Sequence, residues 1–175
     1  KGKIQSGRPK AKLEEVGPAR KKGSIISYLP DKSVFETLEL NFDKVSKRLR
    51  ELAFLTKNVK ITLTDERVKE NGKFKQKLYN FQGGIVDFVK YINKDKSPIH
   101  ETPILIEGKK DGVEIQVAMQ FNEGYNEGVF SFVNNIPTPE GGTHETGFKT
   151  ALTKVMNDHA RSSGALKEKA ANLSG

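Results

Sequence analysis

Gly141-Gly142-Thr143 is the place in this chain where residue types first suggest chemistry. Two glycines at the start of an amphipathic helix leave backbone N–H groups free, and the helix dipole attracts anions to them. The triplet lacks the Lys-Ser/Thr of a P-loop and the spacing of a dinucleotide fingerprint, so it reads as a turn and cap in preference to an ATP site. Contact with a nucleic-acid phosphate lies between those two readings. The three histidines, His100, His144 and His159, stand in no His-x-x-x-His or Glu-flanked metal pattern. His144 and His159 fall on one predicted helix, about 22 Å apart along its axis, too far to share a metal. His144, in the first turn, reads as a cap-region hydrogen bonder or a cavity-facing residue in preference to a general base. No Ser–His–Asp set or carboxylate pair stands out, and the absence of cysteine removes thiol catalysis, disulfides and Cys-ligated metals.

The charge is unevenly placed. Residues 1–23 hold eight Lys/Arg against two Glu, so +6 of the net +8 sits there and only +2 is spread over the remaining 152 residues. A basic run of this kind suits a solvated edge or loop better than a dedicated nucleic-acid arm. Further cations gather on two predicted helices, Lys47, Arg48 and Arg50 on one and Lys149, Lys154 and Arg161 on another. Single Lys and Arg residues on exposed helix faces are ordinarily solubilising.

These residues are positioned by elements that the patterning predicts. Phe42, Val45, Leu49, Leu52 and Ala53 keep a 3–4 spacing over Phe42–Leu55, a helix; Val59–Thr64 alternates as a half-buried strand; and Asp65–Lys77 is a turn or hairpin connection with Asn71-Gly72 as its strongest signal. Gly83-Gly84 precedes a second helix through Ile85, Phe88, Val89 and Ile92. Pro103–Asn135 reads as a β-meander with a tight Asp111-Gly112 hairpin, and Ser24–Leu29 as a short strand that needs partner strands to be stable. Val129–Val133 is β-rich and Asn134–Gly142 a loop. A third helix, about 18 residues long, follows from a Thr143 cap with Phe148, Ala151, Leu152, Val155, Met156 and Ala160 as an apolar stripe expected to pack on the sheet. The order of elements is α+β, with three helices packed on a mostly antiparallel sheet. A chain of 175 residues fits one domain plus a remnant. Its first residue, Lys1, and its unpunctuated last residues read as those of an excerpt. No stretch is apolar for the roughly 18–20 residues that a membrane-spanning helix needs.

Four ordered stretches carry a resemblance: Gly23-Ser-Ile-Ile-Ser-Tyr-Leu-Pro-Asp31, Lys47-Arg-Leu-Arg-Glu-Leu-Ala-Phe-Leu55, Gly83–Lys94 running into Ser97-Pro-Ile-His100, and Ser131–Phe148. Together the chain resembles the ATPase subunit of bacterial type IIA DNA topoisomerases, the B subunits of DNA gyrase and topoisomerase IV. The resemblance implies that residues 1–30 are the C-terminal strands of a GHKL ATPase domain. Residues 31–175 would then be a transducer domain, incomplete at its C-terminus, with a left-handed βαβ crossover like the second domain of a small-subunit ribosomal protein. It implies an ATP-dependent enzyme, cytoplasmic and without membrane association, that passes one DNA duplex through a double-strand break in another and changes supercoiling. ATP and Mg2+ would serve the full-length enzyme, with the general-base Glu and Mg-chelating Asn before Lys1 and the γ-phosphate Gln-Thr-Lys loop after Gly175, so that no catalytic residue and no complete cofactor site falls within this chain. The implied partners are double-stranded DNA, a second copy of the ATPase subunit in a homodimer, and the A subunit in an A2B2 heterotetramer.

Carried over residue by residue, the family's adenine-holding Thr falls at Ser24, where a hydroxyl is kept and a methyl lost. Lys47, Arg48, Arg50, His144, Lys149 and Lys154 become DNA-contact candidates on the walls of a cavity that admits a duplex. Passage through it calls for weak, sequence-blind, electrostatic contacts, since tight ones would trap the segment. Gyrase and topoisomerase IV are not separable on these residues. The rival reading is a non-enzymatic RNA-binding or ribosome-associated module, which the basic balance and α+β order permit but for which the base-stacking aromatic pattern is missing; a purely structural interaction domain has no positive sign.

Overall fold

The computed structural model describes residues 4–5, 8–18, 20–167 and 169–174. Its backbone divides into two compact units, Lys1–Val45 and Ser46–Gly175. Among its described residues the first holds one short antiparallel pair, β1 (Ile4–Gln5) with β2 (Arg8–Pro9), and the opening residues of a helix that starts at Phe42, and is otherwise irregular and mostly exposed. Ser24 and the segment to Leu29, expected as a strand, form no ladder, and Ile25 and Ile26 are 98% and 90% exposed. The physical reason for this correction is that an apolar alternation becomes a strand only where a neighbour accepts its backbone hydrogen bonds.

The second unit is α+β. Helix α1 (Phe42–Leu55) starts where the Asn41 side chain accepts the N–H groups of Asp43 and Lys44, an N-cap. It is followed by β3 (Ile61–Glu70), β4 (Lys73–Tyr79), α2 (Ile85–Ile92), β5 (Ile104–Lys110), β6 (Val113–Met119), β7 (Phe132–Val133), β8 (Ile136–Pro137) and α3 (Thr143–Ser162). All ladders among the described residues are antiparallel two-stranded ribbons. Three turn on consecutive left-handed residues, Asn71-Gly72, Asp111-Gly112 and Asn134-Asn135, the backbone that a tight hairpin requires. Asp65–Lys77 is therefore mostly ladder, with a two-residue turn instead of a long connection.

The core is aromatic and lies between α1, α2 and the β7 segment. Phe54, 2% exposed, stacks on Phe81 at 3.7 Å and 17° and lies 5.3 Å from Phe88 and 5.5 Å from Tyr91. Phe88 in turn meets Phe130 edge-on at 5.7 Å and Phe132 at 6.1 Å. The tilted and edge-on contacts at 5.3–6.1 Å suit the ring quadrupoles and add about 0.5–1.5 kcal/mol per pair beyond burial. Ser46 is buried beside the apolar set because its hydroxyl bonds to the hydroxyl of Tyr79.

The stripe on α3 differs from expectation. The stripe is only partly covered, with Val155 and Met156 61% and 43% exposed and Phe148, Leu152 and Ala160 half-buried. Separate ribbons offer no continuous layer for it, and hydrogen bonds fasten the C-terminal segment along it. Asn157 clamps the backbone of Leu173, its Oδ1 accepting the N–H at 2.7 Å and its Nδ2 donating to the carbonyl at 3.0 Å. Arg161 donates to the carbonyls of Lys167 and Ala170 and to Asn172 Oδ1. Among the described residues no helix is long and apolar enough to cross a membrane.

Candidate functional site

The start of α3 is where side chains from several elements converge. Gly141, at φ 73, makes the backbone reversal that other residues disfavour, and its N–H donates to the Thr138 carbonyl at 2.9 Å. The helix N-cap is Gly142, whose carbonyl accepts from the N–H groups of Glu145 and Thr146; Thr143 is the first helical residue and does not cap. Glu145 in the first turn supplies the negative charge that the dipole favours.

Around that turn the polar groups form a chain. The Ser131 hydroxyl lies 3.0 Å from the Glu145 carboxylate and 2.7 Å from the Thr138 hydroxyl, which is 3.1 Å from His144 Nε2. Lys149, one turn on, bridges Glu145 at 3.2 Å and Glu127 at 3.0 Å. The hydrogen bond from Lys149, then that from Ser131, holds the Glu145 carboxyl below its ordinary range. Glu127 and then Glu145 raise the Lys149 ammonium. The result is a polar latch: two hydroxyls flanking the β7–β8 hairpin and one carboxylate in the loop before it are tied to the first two turns of α3.

A second tie joins the same hairpin to α1. Arg48 pairs with Glu51 and donates from Nη2 to the carbonyl of Asn135 at 2.7 Å, in the β7–β8 turn. Arg50 is held by two tyrosines, its guanidinium 5.6 Å from the Tyr79 ring centroid and 5.2 Å from that of Tyr91, and it donates to the Tyr91 hydroxyl.

The predicted basic residues thus separate into two groups. Arg48, Arg50 and Lys149 are engaged within the fold, whereas Lys47 and Lys154 are exposed and make no ion pair with a described residue. Lys149, Lys154 and Arg161 line a groove of about 560 Å³ along α3, closed on its far side by Asn172 and Leu173. Ser24 lies in the other unit, in an exposed extended segment. Sequence reasoning missed Ser131, Thr138 and Glu127, since spacing alone does not reveal that a hydroxyl fourteen positions before Glu145 reaches its carboxylate, or that a second one links that hydroxyl to His144. Among the described residues no three His, Asp or Glu side chains come together as metal ligands.

A sequence profile described as DNA gyrase B matches residues 84–175, from the start of α2 through α3. The DNA gyrase B protein of Bacillus mycoides is 45% identical over 99% of this chain, which spans 42% of that protein. The corresponding B protein of DNA topoisomerase 4 from Streptococcus pneumoniae is likewise 45% identical over 97% of this chain, which spans 26% of it. In structure, the 43K ATPase domain of Thermus thermophilus gyrase B, solved with an aminocoumarin, superposes with a TM-score of 0.69 over 83% of this chain and 38% of its own, at 33% identity. The chain therefore spans less than half the length of the relatives it matches. With the profile covering more than half of its residues, this chain belongs to the DNA gyrase B family.

Proposed function

We propose that this chain is the signal-transducing part of the ATPase subunit of an ATP-dependent type II DNA topoisomerase, coupling nucleotide binding and hydrolysis to the passage of one duplex through a break in another. The observation that carries this reading is the family match beginning at Gly84, because it takes in the Ser131–Glu145–Lys149 latch. On this reading residues 1–30 are the last strands of the ATPase domain and 31–175 the transducer. Double-stranded DNA, a second copy of the ATPase subunit and the A subunit, as A2B2, are its partners in the cytoplasm. A base-stacking RNA module draws no support from these relatives.

ATP with Mg2+ supplies phosphoanhydride hydrolysis in the complete enzyme. Ser24 would offer adenine one hydroxyl from an exposed segment. This chain's own residues transmit. The latch joins hairpin and helix by several short hydrogen bonds and ion pairs, and Arg48 joins the same hairpin to α1, so a displacement of α1 reaches α3 as a rigid-body motion. Lys47, Arg48, Arg50, His144, Lys149 and Lys154 are the residues proposed to meet the passing duplex. Lys149, held between two carboxylates, presents little net charge, while Lys47 and Lys154 are open. That balance suits weak, sequence-blind contact.

The test is enzymatic. The full-length subunit with its A subunit should hydrolyse ATP faster in the presence of DNA and relax or introduce supercoils; absence of DNA-stimulated hydrolysis overturns the proposal.

A further inference from the structure

Charge in the first unit is divided along the chain. Residues 8–23 carry six cations, Arg8, Lys10, Lys12, Arg20, Lys21 and Lys22, against Glu14 and Glu15, whereas residues 24–45 carry two cations against four carboxylates. Patterning alone leaves such a run as solvated loop. The structure adds that nothing among the described residues takes these six charges up. Each of the six is exposed, and none forms an ion pair or a side-chain hydrogen bond with a described residue. The ion pairs found among the described residues all join residues of the second unit. Glu14 already has an interaction of its own, and it is with none of the six.

The backbone gives these side chains nowhere to bury. Beyond β2 no described residue from Lys10 to Gly23 lies in a helix or a ladder, and even the apolar Leu13 and Val16 are 87% and 76% exposed. Like charges close together repel and oppose collapse, and Pro9 and Pro18 lack the N–H that a helix interior needs. The cations are therefore presented to solvent along an irregular stretch that has no packing to lose when something binds it.

We infer that residues 8–23 form a polycationic strip that docks on the phosphate backbone of duplex DNA, separate from the helix-borne contacts proposed above. A duplex carries one charge per about 1.7 Å of axis with a condensed counterion layer, and each phosphate neutralised by Lys or Arg releases counterions from it. Cations that hold no carboxylate contribute in full, because no ion pair has to be broken first. The strip has no helix or long ribbon to lay in a groove, so it contacts phosphates, which position a duplex without reading its bases. The choice of duplex DNA among polyanions rests on the topoisomerase reading above.

The test follows binding of this chain to a fluorescent duplex across a salt series. Arg20→Gln, Lys21→Gln and Lys22→Gln combined should lower the slope of log Kd against log salt by about 2.7, at roughly 0.9 per phosphate contact, and Arg8→Gln, Lys10→Gln and Lys12→Gln combined should do the same. Lys90→Gln, Lys94→Gln and Lys96→Gln combined, an equal loss of exposed charge in the second unit, should change it by less than about one such contact. Arg20→Lys, Lys21→Arg and Lys22→Arg combined should keep the slope, which separates a lost charge from an altered segment. Segment variants that move the slope no further than the Lys90, Lys94 and Lys96 variant, or absence of salt-dependent duplex binding by the unmodified chain, would overturn the inference. So would tighter binding, at one salt concentration, of polyglutamate or of equimolar phosphatidylserine and phosphatidylcholine vesicles than of the duplex. None of these readouts passes through ATP hydrolysis by the full-length enzyme, so failure here and failure of the topoisomerase reading are distinguishable.

Discussion

Two regions of the larger unit are held by different forces. Where α1 meets α2 the contacts are between rings: Phe81, Phe88 and Tyr91 lie 3.7 to 5.5 Å from Phe54, which is itself closed off from water. At the start of α3 the contacts are hydroxyl, carboxylate and ammonium, and farther along the helix Val155 and Met156 are open to water. Burial is non-directional, whereas a polar latch needs a defined geometry of donors and acceptors. The contrast teaches where each job resides in the proposed reading, with the aromatic cluster as the packed body and the α3 start as the joint through which a movement of that body is passed on.

The largest effect that would break this comparison is on the body. Phe54→Ala should cost about 3–5 kcal/mol, the usual range for truncating a buried Phe, and lower the thermal midpoint of the whole unit. If midpoint and amplitude are unchanged, the cluster is not the core.

Asn157→Ala should cost less, about 1 kcal/mol, and act locally. Hydrogen exchange should accelerate in residues 165–174, which Asn157 and Arg161 fasten to α3, while amides of α1 keep their protection. Loss of protection in α1 would mean that the two regions are one cooperative block.

Acid should release both shifted carboxylates. Glu145 is held below its ordinary value of 4.5 by Lys149 and Ser131, so the stability it lends is complete above that value and is lost as pH falls through its lower folded-state pKa. Asp65, lowered from 3.8 to about 2 chiefly by its hydrogen bonds with Arg67, gives up its contribution over that interval. Carboxyl carbon shifts followed by NMR check both; a Glu145 midpoint at or above 4.5 contradicts the latch.

Least affected is Lys149 on removal of one of its two carboxylates. Glu127→Gln takes away the foremost cause of its raised pKa and should lower it, read from the Lys Nζ resonance, with no change in thermal midpoint, since an exposed pair contributes little to stability.

Helices are the legible part of this chain. The 3–4 spacing places α1 at Phe42–Leu55 as observed, and Gly83-Gly84 and Gly141-Gly142 mark the starts of α2 and α3. Asn71-Gly72 and Asp111-Gly112 likewise turn where two consecutive left-handed residues cost least. Asn134-Asn135 reads as loop because Asn signals that backbone less strongly than Gly, yet both residues adopt it. The centre of the core is hidden from the pattern: Phe54 falls outside the apolar stripe of α1, and Ser46 is buried for a hydroxyl bond that no hydropathy pattern encodes. Of the basic residues, type is legible and engagement is not. Arg50 resembles Lys47 in sequence, but only Arg50 finds two tyrosine rings, one from β4 and one from α2, because tertiary packing brings them together.

The central claim is that the α3 joint transmits and does not catalyse, and the most direct measurement is the number of strand-passage events per ATP hydrolysed by the full-length enzyme with Ser131→Ala and Glu145→Gln combined. The account predicts that the ratio falls by roughly 5-fold, within the range typical of residues that carry coupling between sites, while DNA-stimulated hydrolysis itself stays near that of the unmodified enzyme. An unchanged ratio, or hydrolysis and passage falling together, would contradict it.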